Sequence, residues 1–114
     1  EDAVRLFGAR ALRNKGYKVV EAKTGDAALD IVREIGATID LMITDVVMPQ
    51  MDGTTLIRES RKLFPALRIV CISGYAEEQF RQTLEGVVNV HFLPKPFSLD
   101  QLASKAKEAM RPPA

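Results

Sequence analysis

Three polar side chains of different chemistry follow short apolar runs of the sequence. Asp45 follows one run, Ser73 follows the next, and Lys95 follows the last. A carboxylate, a hydroxyl and an ammonium, with no histidine nearby in sequence, do not compose a hydrolase triad, but they suit a phosphoryl group. The carboxylate would attack phosphorus, the ammonium would neutralise phosphoryl oxygens, and the hydroxyl would donate a hydrogen bond to one of them. A divalent cation is normally needed as well, because a carboxylate repels an incoming phosphoryl anion.

Each of these residues also has a structural interpretation. Taken singly, Asp45 and Ser73 suit turn residues or helix caps, and Lys95 suits a solvated surface lysine. Lys95 nevertheless lies between Pro94 and Pro96, which restrict its backbone, and Pro96 permits a cis peptide bond. Because the three coincide at the ends of apolar runs, we favour the functional interpretation.

The surrounding pattern predicts the elements that position these residues. Apolar residues recur at helical spacing in five segments, and short apolar or valine-rich runs separate them. We predict helices over 2–15, 24–35, 52–63, 76–84 and 98–110, and strands over 18–22, 41–44, 68–72 and 88–93. Alternating short strands and helices imply a parallel sheet covered on both faces. In such a sheet the carboxyl ends of the strands share one edge, which would bring the three polar residues together.

The composition narrows the class of protein. The 114 residues suit one compact domain. A net charge of +1 argues against a dedicated surface for nucleic acid or for an anionic membrane. The single cysteine, Cys71, lies inside an apolar run, which predicts a buried, inert thiol and a reducing compartment. We find no apolar stretch long enough to cross a membrane.

Three segments carry a resemblance to a known family. Ile43–Gly53, Ile72–Ala76 and Leu93–Phe97 resemble the motifs of receiver domains of two-component response regulators, in order and in spacing. The resemblance covers essentially the whole chain. It implies an α/β, flavodoxin-like (CheY-like) fold, a doubly wound parallel sheet of strand order 2-1-3-4-5. In style the sequence is most similar to the C-terminal receivers of bacterial hybrid histidine kinases.

The resemblance implies a role for each motif residue. Asp45 would take a phosphoryl group from a phosphohistidine with Mg²⁺ bound, and would also be a ligand of the metal. Ser73 resembles the switch hydroxyl, Lys95 the phosphate-pairing lysine and Phe92 the aromatic switch residue. The remaining implied roles are structural or metal-binding: a cis peptide bond at Pro96, a turn glycine at Gly53, space beside the phosphoryl group at Gly74, and a backbone carbonyl for the metal at Val47.

The partners implied are those of the family. A histidine kinase or a histidine phosphotransfer protein would donate the phosphoryl group. A downstream protein would contact the face formed by the fourth helix, the fifth strand and the fifth helix, and dimerisation through the domain is compatible with this. We expect no nucleic-acid partner and no direct membrane contact. The location implied is the bacterial cytoplasm, including the cytoplasmic part of a membrane-bound kinase.

One feature of the family is not found. The family places an acidic pair, which anchors Mg²⁺, after its first strand. Glu1 and Asp2 are too close to Gly16 to be that pair. We therefore expect residues 1–114 to be a single receiver domain whose first strand and acidic pair precede residue 1. A strand from a neighbouring chain, or closure of the second strand onto the third, would be other ways to complete the sheet.

Two other functions remain open from the sequence. The first is a pseudo-receiver, a protein-interaction module with this fold that is not phosphorylated; only the missing acidic pair favours it. The second is a metal-dependent phosphatase with an aspartyl nucleophile. Such enzymes usually have a second acidic residue shortly after the nucleophile, and Val47 stands two residues after Asp45. We expect catalysis to be limited to the domain's own phosphorylation and dephosphorylation.

Overall fold

The computed structural model describes residues 2–45, 53–73 and 89–110, which form four α-helices, one short 3₁₀ helix and three strands. The three strands correspond to the strands predicted over 41–44, 68–72 and 88–93. The last helix corresponds to the predicted fifth helix. The predicted helix over 76–84 lies outside the described residues. In chain order the elements are α1 (Asp2–Asn14), α2 (Gly25–Ile35), the 3₁₀ helix Gly36–Thr38, β1 (Met42–Asp45), α3 (Gly53–Leu63), β2 (Ile69–Ser73), β3 (Val90–Pro94) and α4 (Leu99–Met110).

The three strands form one parallel sheet in the order β1-β2-β3. Met42 pairs with Ile69, and Ile69 pairs in turn with Val90, so the strands begin in register. Helices cover both faces, as the alternation of strands and helices predicts. The predicted α/β class with a doubly wound parallel sheet is therefore confirmed.

The first core cluster lies between the sheet and the pair α2–α3. Alternate strand residues point to this face because the side-chain period of a strand is two. Leu56, Ile57 and Ile69 at its centre are at most 1% exposed. The buried members are Leu29, Val32, Met42, Leu56, Ile57, Leu67, Ile69 and Cys71.

The second core cluster lies on the opposite face, between the sheet and the pair α1–α4. The intervening strand residues point here, and Val70 at the centre is fully buried. The buried members are Leu12, Val70, Ile72, Leu93, Leu102, Ala106 and Ala109. Two packed layers thus fix the sheet from both sides, and with it the edge where the strands end.

The predicted strand over 18–22 is wrong. These residues belong to no helix or strand in the structure. A strand requires a hydrogen-bonded neighbour, and no described residue provides a ladder beside this segment. Side chains hold it instead. Glu21 pairs with Arg5 and Arg13 at 2.9 Å each, and the Arg13 guanidinium donates to the carbonyl of Val19 at 2.9 Å.

Local signals place the ends of the helices. Thr24 caps α2 by accepting from the N–H of Ala27 at 3.1 Å. Gly16, with φ of 96°, follows α1 in the left-handed region that favours glycine. Gly36, the C-cap of α2, is needed for packing, because a Cβ there would overlap the ring of Phe64. Among the described residues, no helix has both the length and the apolar character needed to cross a bilayer.

Candidate functional site

Asp45, Ser73 and Lys95 lie at one edge of the sheet. Asp45 is the last residue of β1 and Ser73 the last residue of β2, while Lys95 directly follows Pro94 at the end of β3. The register pairs Ser73 with Pro94. All three strands extend one residue further than predicted, so the backbones of Asp45 and Ser73 are part of the sheet.

The side chains of Asp45 and Lys95 form an ion pair. Lys95 Nζ donates to Asp45 Oδ2 at 2.6 Å, which is short for an ammonium–carboxylate hydrogen bond. Because β2 separates β1 from β3, the pair extends across the carboxyl end of β2, at Ser73. The side chains are only 17% exposed for Asp45 and 29% for Lys95, so solvent screens the pair less than it screens a surface salt bridge.

A further hydroxyl supports the strand end. Thr44 is 4% exposed, and its Oγ1 donates to the carbonyl of Asp45 at 2.9 Å. The sequence pattern predicts no role for Thr44. The available signal was a hydroxyl residue inside an otherwise apolar run, since a buried hydroxyl must find a hydrogen-bond partner. Thr44 is thus a supporting residue of the site.

Three other predicted residues are among those that the structure describes. Gly53 is buried and is the first residue of α3. Phe92, in β3, is half-buried and packs against the first core cluster. The peptide bond between Lys95 and Pro96 is cis. Val47 and Gly74 lie outside the described residues.

Burial and the charge of Asp45 both act on the thiol of Cys71. Cys71 pairs with Thr44 on one side and with Phe92 on the other, and it is fully buried. Burial, and secondarily the negative charge of Asp45, raises the pKa of the Cys71 thiol to about 12. The predicted burial of this thiol is thus confirmed, and a thiol that stays protonated at neutral pH is a poor nucleophile.

The donor set fits part of a magnesium site. Within 2–45, 53–73 and 89–110, no three histidine, cysteine or acidic side chains come together as metal ligands. Mg²⁺ is commonly bound by one or two carboxylates, with waters and phosphate oxygens completing an octahedron. The Asp45 carboxylate, partly buried at the edge of the sheet, suits one of these ligands. The other predicted ligands, Val47 and an upstream acidic pair, are not among the described residues.

Comparison with known proteins agrees with this arrangement. The family described as the response regulator receiver domain matches residues 1–107. The response regulator receiver protein CpdR of Brucella abortus is 30% identical over 110 residues, which are 96% of this chain and 90% of CpdR. The chain belongs to the response regulator receiver domain family. Its place is accordingly in two-component signal transduction.

This receiver domain is similar to the receivers of CckA proteins in both sequence and structure. Sensor kinase CckA of Brucella abortus is 51% identical over 110 residues, which are 96% of this chain but 12% of that kinase. The crystal structure of the receiver domain from hybrid histidine kinase CckA superposes with a TM-score of 0.82 at 41% identity, covering 97% of this chain and 93% of that one. The resemblance to hybrid-kinase receivers is therefore confirmed.

Proposed function

We propose that Asp45 accepts a phosphoryl group from a phosphohistidine and that the receiver domain thereby switches a protein-binding surface. The observation that carries this proposal is the 2.6 Å contact between Lys95 Nζ and Asp45 Oδ2 at the carboxyl edge of the sheet. An ammonium held beside a partly buried carboxylate is already in place for the negative charge that phosphorylation adds. The donors consistent with the family are a histidine kinase or a histidine phosphotransfer protein.

The chemistry assigns a separate task to each group. An oxygen of the Asp45 carboxylate attacks phosphorus, the bond from phosphorus to the histidine nitrogen breaks, and its electron pair returns to the imidazole. Lys95 moves from pairing with the carboxylate alone to neutralising phosphoryl oxygens. Ser73, at the end of β2 between the two, would donate its hydroxyl to one of those oxygens.

Mg²⁺ is the cofactor expected for this reaction, and it would reduce the repulsion between the carboxylate and the incoming phosphoryl anion. We propose that Asp45 supplies one ligand and the backbone carbonyl of Val47 another. An acidic pair upstream of residue 1 would supply the remaining protein ligands. The chain's own contribution is to hold Asp45 rigidly in the strand ladder and to keep Lys95 beside it.

The output of the switch would pass through β3 and its flanking helices. In this proposal Ser73 moves toward the phosphoryl oxygens and the ring of Phe92 turns inward, which changes the surface of β3 and α4. A downstream protein, or a second receiver in a dimer, would bind that surface. The setting of Phe92 on β3 supports this role, because its ring packs against the first core cluster while remaining partly exposed.

The similarity to CckA supports a place within a hybrid histidine kinase. The alignment covers nearly all of this chain and about an eighth of that kinase, with 12% covered. We propose that the receiver acts in the bacterial cytoplasm as one part of such a kinase. The sequence flanking residues 1–114 tests this, since a kinase ATP-binding domain upstream supports it and an independent short reading frame contradicts it.

The phosphorylation proposal is tested by incubating the protein, with its natural upstream residues present, with acetyl phosphate and Mg²⁺. We expect an increase in mass equal to one phosphoryl group, labile to acid, and absent from Asp45→Ala. Asp26→Ala is the matched control, because Asp26 is an exposed aspartate in the first turn of α2, and this variant should be labelled like the wild type.

The outcomes separate the candidate functions. Absence of labelling in a folded, Mg²⁺-binding protein would favour the pseudo-receiver, an interaction module that is never phosphorylated. Labelling that survives Asp45→Ala would contradict the assignment of Asp45. Rapid release of phosphate from unrelated phosphomonoesters would favour a phosphatase.

A further inference from the structure

The connection between β3 and α4 carries Lys95, and it is short. Four residues, 95–98, separate Pro94 in the sheet from Leu99 in the helix. The position of the Lys95 main chain therefore depends on how firmly the two ends of this connection are held. The end in the sheet is fixed by the pairing of Pro94 with Ser73.

The helical end is fixed by a reciprocal cap. The N–H of Gln101 donates to Ser98 Oγ at 3.1 Å, and the N–H of Ser98 donates to Gln101 Oε1 at 2.7 Å. The N–H of Leu102 donates to the carbonyl of Ser98 at 3.0 Å. Ser98 and Gln101 thus form a capping box, in which two backbone donors that the helix leaves unpaired are satisfied by side chains.

Packing alone holds the connection only in part. Leu102, the fourth residue of α4, is 1% exposed and anchors the helix in the second core cluster. Phe97 packs against the same cluster but remains partly exposed. Ser98, Leu99 and Gln101 are exposed. The first turn of α4 therefore has little core contact of its own, and a helix terminus of this kind frays when its cap is lost.

We infer that Ser98 and Gln101 are positioning residues for Lys95: their reciprocal cap holds the first turn of α4, and through it the ammonium that pairs with Asp45. Neither residue contacts Asp45, so they act through the main chain of residues 95–98 rather than on the phosphoryl group. The consequence for phosphorylation rests on the proposed function, whereas the consequence for the mobility of Lys95 does not.

The mobility is measured by ¹⁵N relaxation of the Lys95 ammonium group in metal-free protein that carries its natural upstream residues. We expect its order parameter to fall in Ser98→Ala and in Gln101→Ala, because the connection gains freedom when the cap is removed. Gln101→Glu should restore it, since a carboxylate at this position also accepts from the N–H of Ser98. Ser104→Ala is the matched control, because Ser104 is an exposed serine of the same helix, and its Lys95 signal should equal that of the wild type.

The rate of labelling by acetyl phosphate with Mg²⁺ provides the second measurement, on protein that carries its natural upstream residues. We expect Ser98→Ala and Gln101→Ala to slow labelling about twofold to fivefold, the size of effect that a lost cap has on a local equilibrium. Gln101→Glu and Ser104→Ala should be labelled at the wild-type rate. A thermal melt of every variant confirms that it is folded at the temperature used.

The results of the two measurements separate the positioning role of the cap from the proposed phosphorylation of Asp45. A lower Lys95 order parameter together with slower labelling, both restored by Gln101→Glu, supports the inference. A lower order parameter with no labelling in any variant supports the positioning role and contradicts the proposed function. An unchanged order parameter in folded Ser98→Ala overturns the inference, even where labelling of the wild type proceeds normally.

Discussion

At the scale of single residues, the site depends on one charge pair and on the groups that hold it. Lys95 and Asp45 are 50 residues apart in sequence and meet at 2.6 Å. Thr44 and Cys71 lie directly behind this contact, the first as a hydrogen-bond donor to the backbone of Asp45 and the second as a buried neutral thiol. The edge of the sheet therefore presents a carboxylate with its counter-charge in place.

Removal of the Lys95 ammonium should slow phosphorylation strongly. For Lys95→Ala we expect the rate of labelling by acetyl phosphate to fall about 100-fold, the typical cost of removing one preorganised charge-stabilising group. The measurement is the rate of mass increase with Mg²⁺ present. Lys107→Ala is the control, because Lys107 is exposed on α4. Equal rates for Lys95→Ala and the wild type would contradict the assigned role.

The buried thiol should make folding sensitive to alkaline pH. The folded pKa of Cys71 is about 12, above the unfolded value of 9.0. The folded state thus retains a proton that the unfolded state loses. Its contribution to stability is complete below about pH 9 and is lost as the pH rises toward 12. We expect the free energy of unfolding, measured with urea, to fall more steeply over this range in the wild type than in Cys71→Val. Parallel curves would contradict this.

At the scale of elements, ion pairs and hydrogen bonds connect pieces that the sheet does not. Glu21 joins residues 17–22 to α1 through Arg5 and Arg13. Arg61 of α3 donates to the carbonyl of Leu67 at 2.7 Å and to that of Asn89 at 3.1 Å, which joins the starts of β2 and β3. Polar side chains thus hold residues 17–22 and the chain at the starts of β2 and β3 in place.

Glu21→Gln should loosen the segment beside α1. The substitution removes the negative charge shared by two arginines, and the Glu21 side chain is only 19% exposed. We expect a loss of about 1 kcal/mol in the free energy of unfolding, with faster amide exchange over residues 17–22. Glu34→Gln, at an exposed glutamate of α2, is the control. Unchanged exchange in Glu21→Gln would show that packing of Tyr17 and Val19 suffices.

At the scale of the whole molecule, two core layers enclose a sheet in which β1 forms one edge. β1 carries Asp45, yet its outer side pairs with no described strand. The strand order implied by the family places its first strand there, between β1 and residues 18–22. We propose that this strand precedes residue 1 and brings the acidic pair of the magnesium site to the same edge. Without it, backbone N–H and C=O groups of β1 would lie unpaired inside the domain.

The proposal is tested by comparing two proteins, one that starts at Glu1 and one extended by its natural upstream residues. We expect the shorter protein to have a lower Tm and to bind Mg²⁺ weakly or not at all, since it would lack both the central ladder and the acidic pair. Calorimetric melts and Mg²⁺ titrations give the two quantities. A cooperative melt with the same Tm and the same Mg²⁺ affinity in both proteins would contradict the proposed register.

The sequence by itself determined the order of the four described helices and of β1–β3, and the edge that the three strands share. Local apolar spacing was sufficient for this, because helix and strand periods act over a few residues and parallel strands must end on one side. Whether a segment pairs is decided by partners that lie far away in sequence, so residues 18–22 read as a strand but form none. Only the tertiary structure decided that Lys95 reaches across β2 to Asp45, that Gly36 faces Phe64, and that Glu21 joins two arginines. Each of these contacts depends on packed layers, which fix distances that no local pattern encodes.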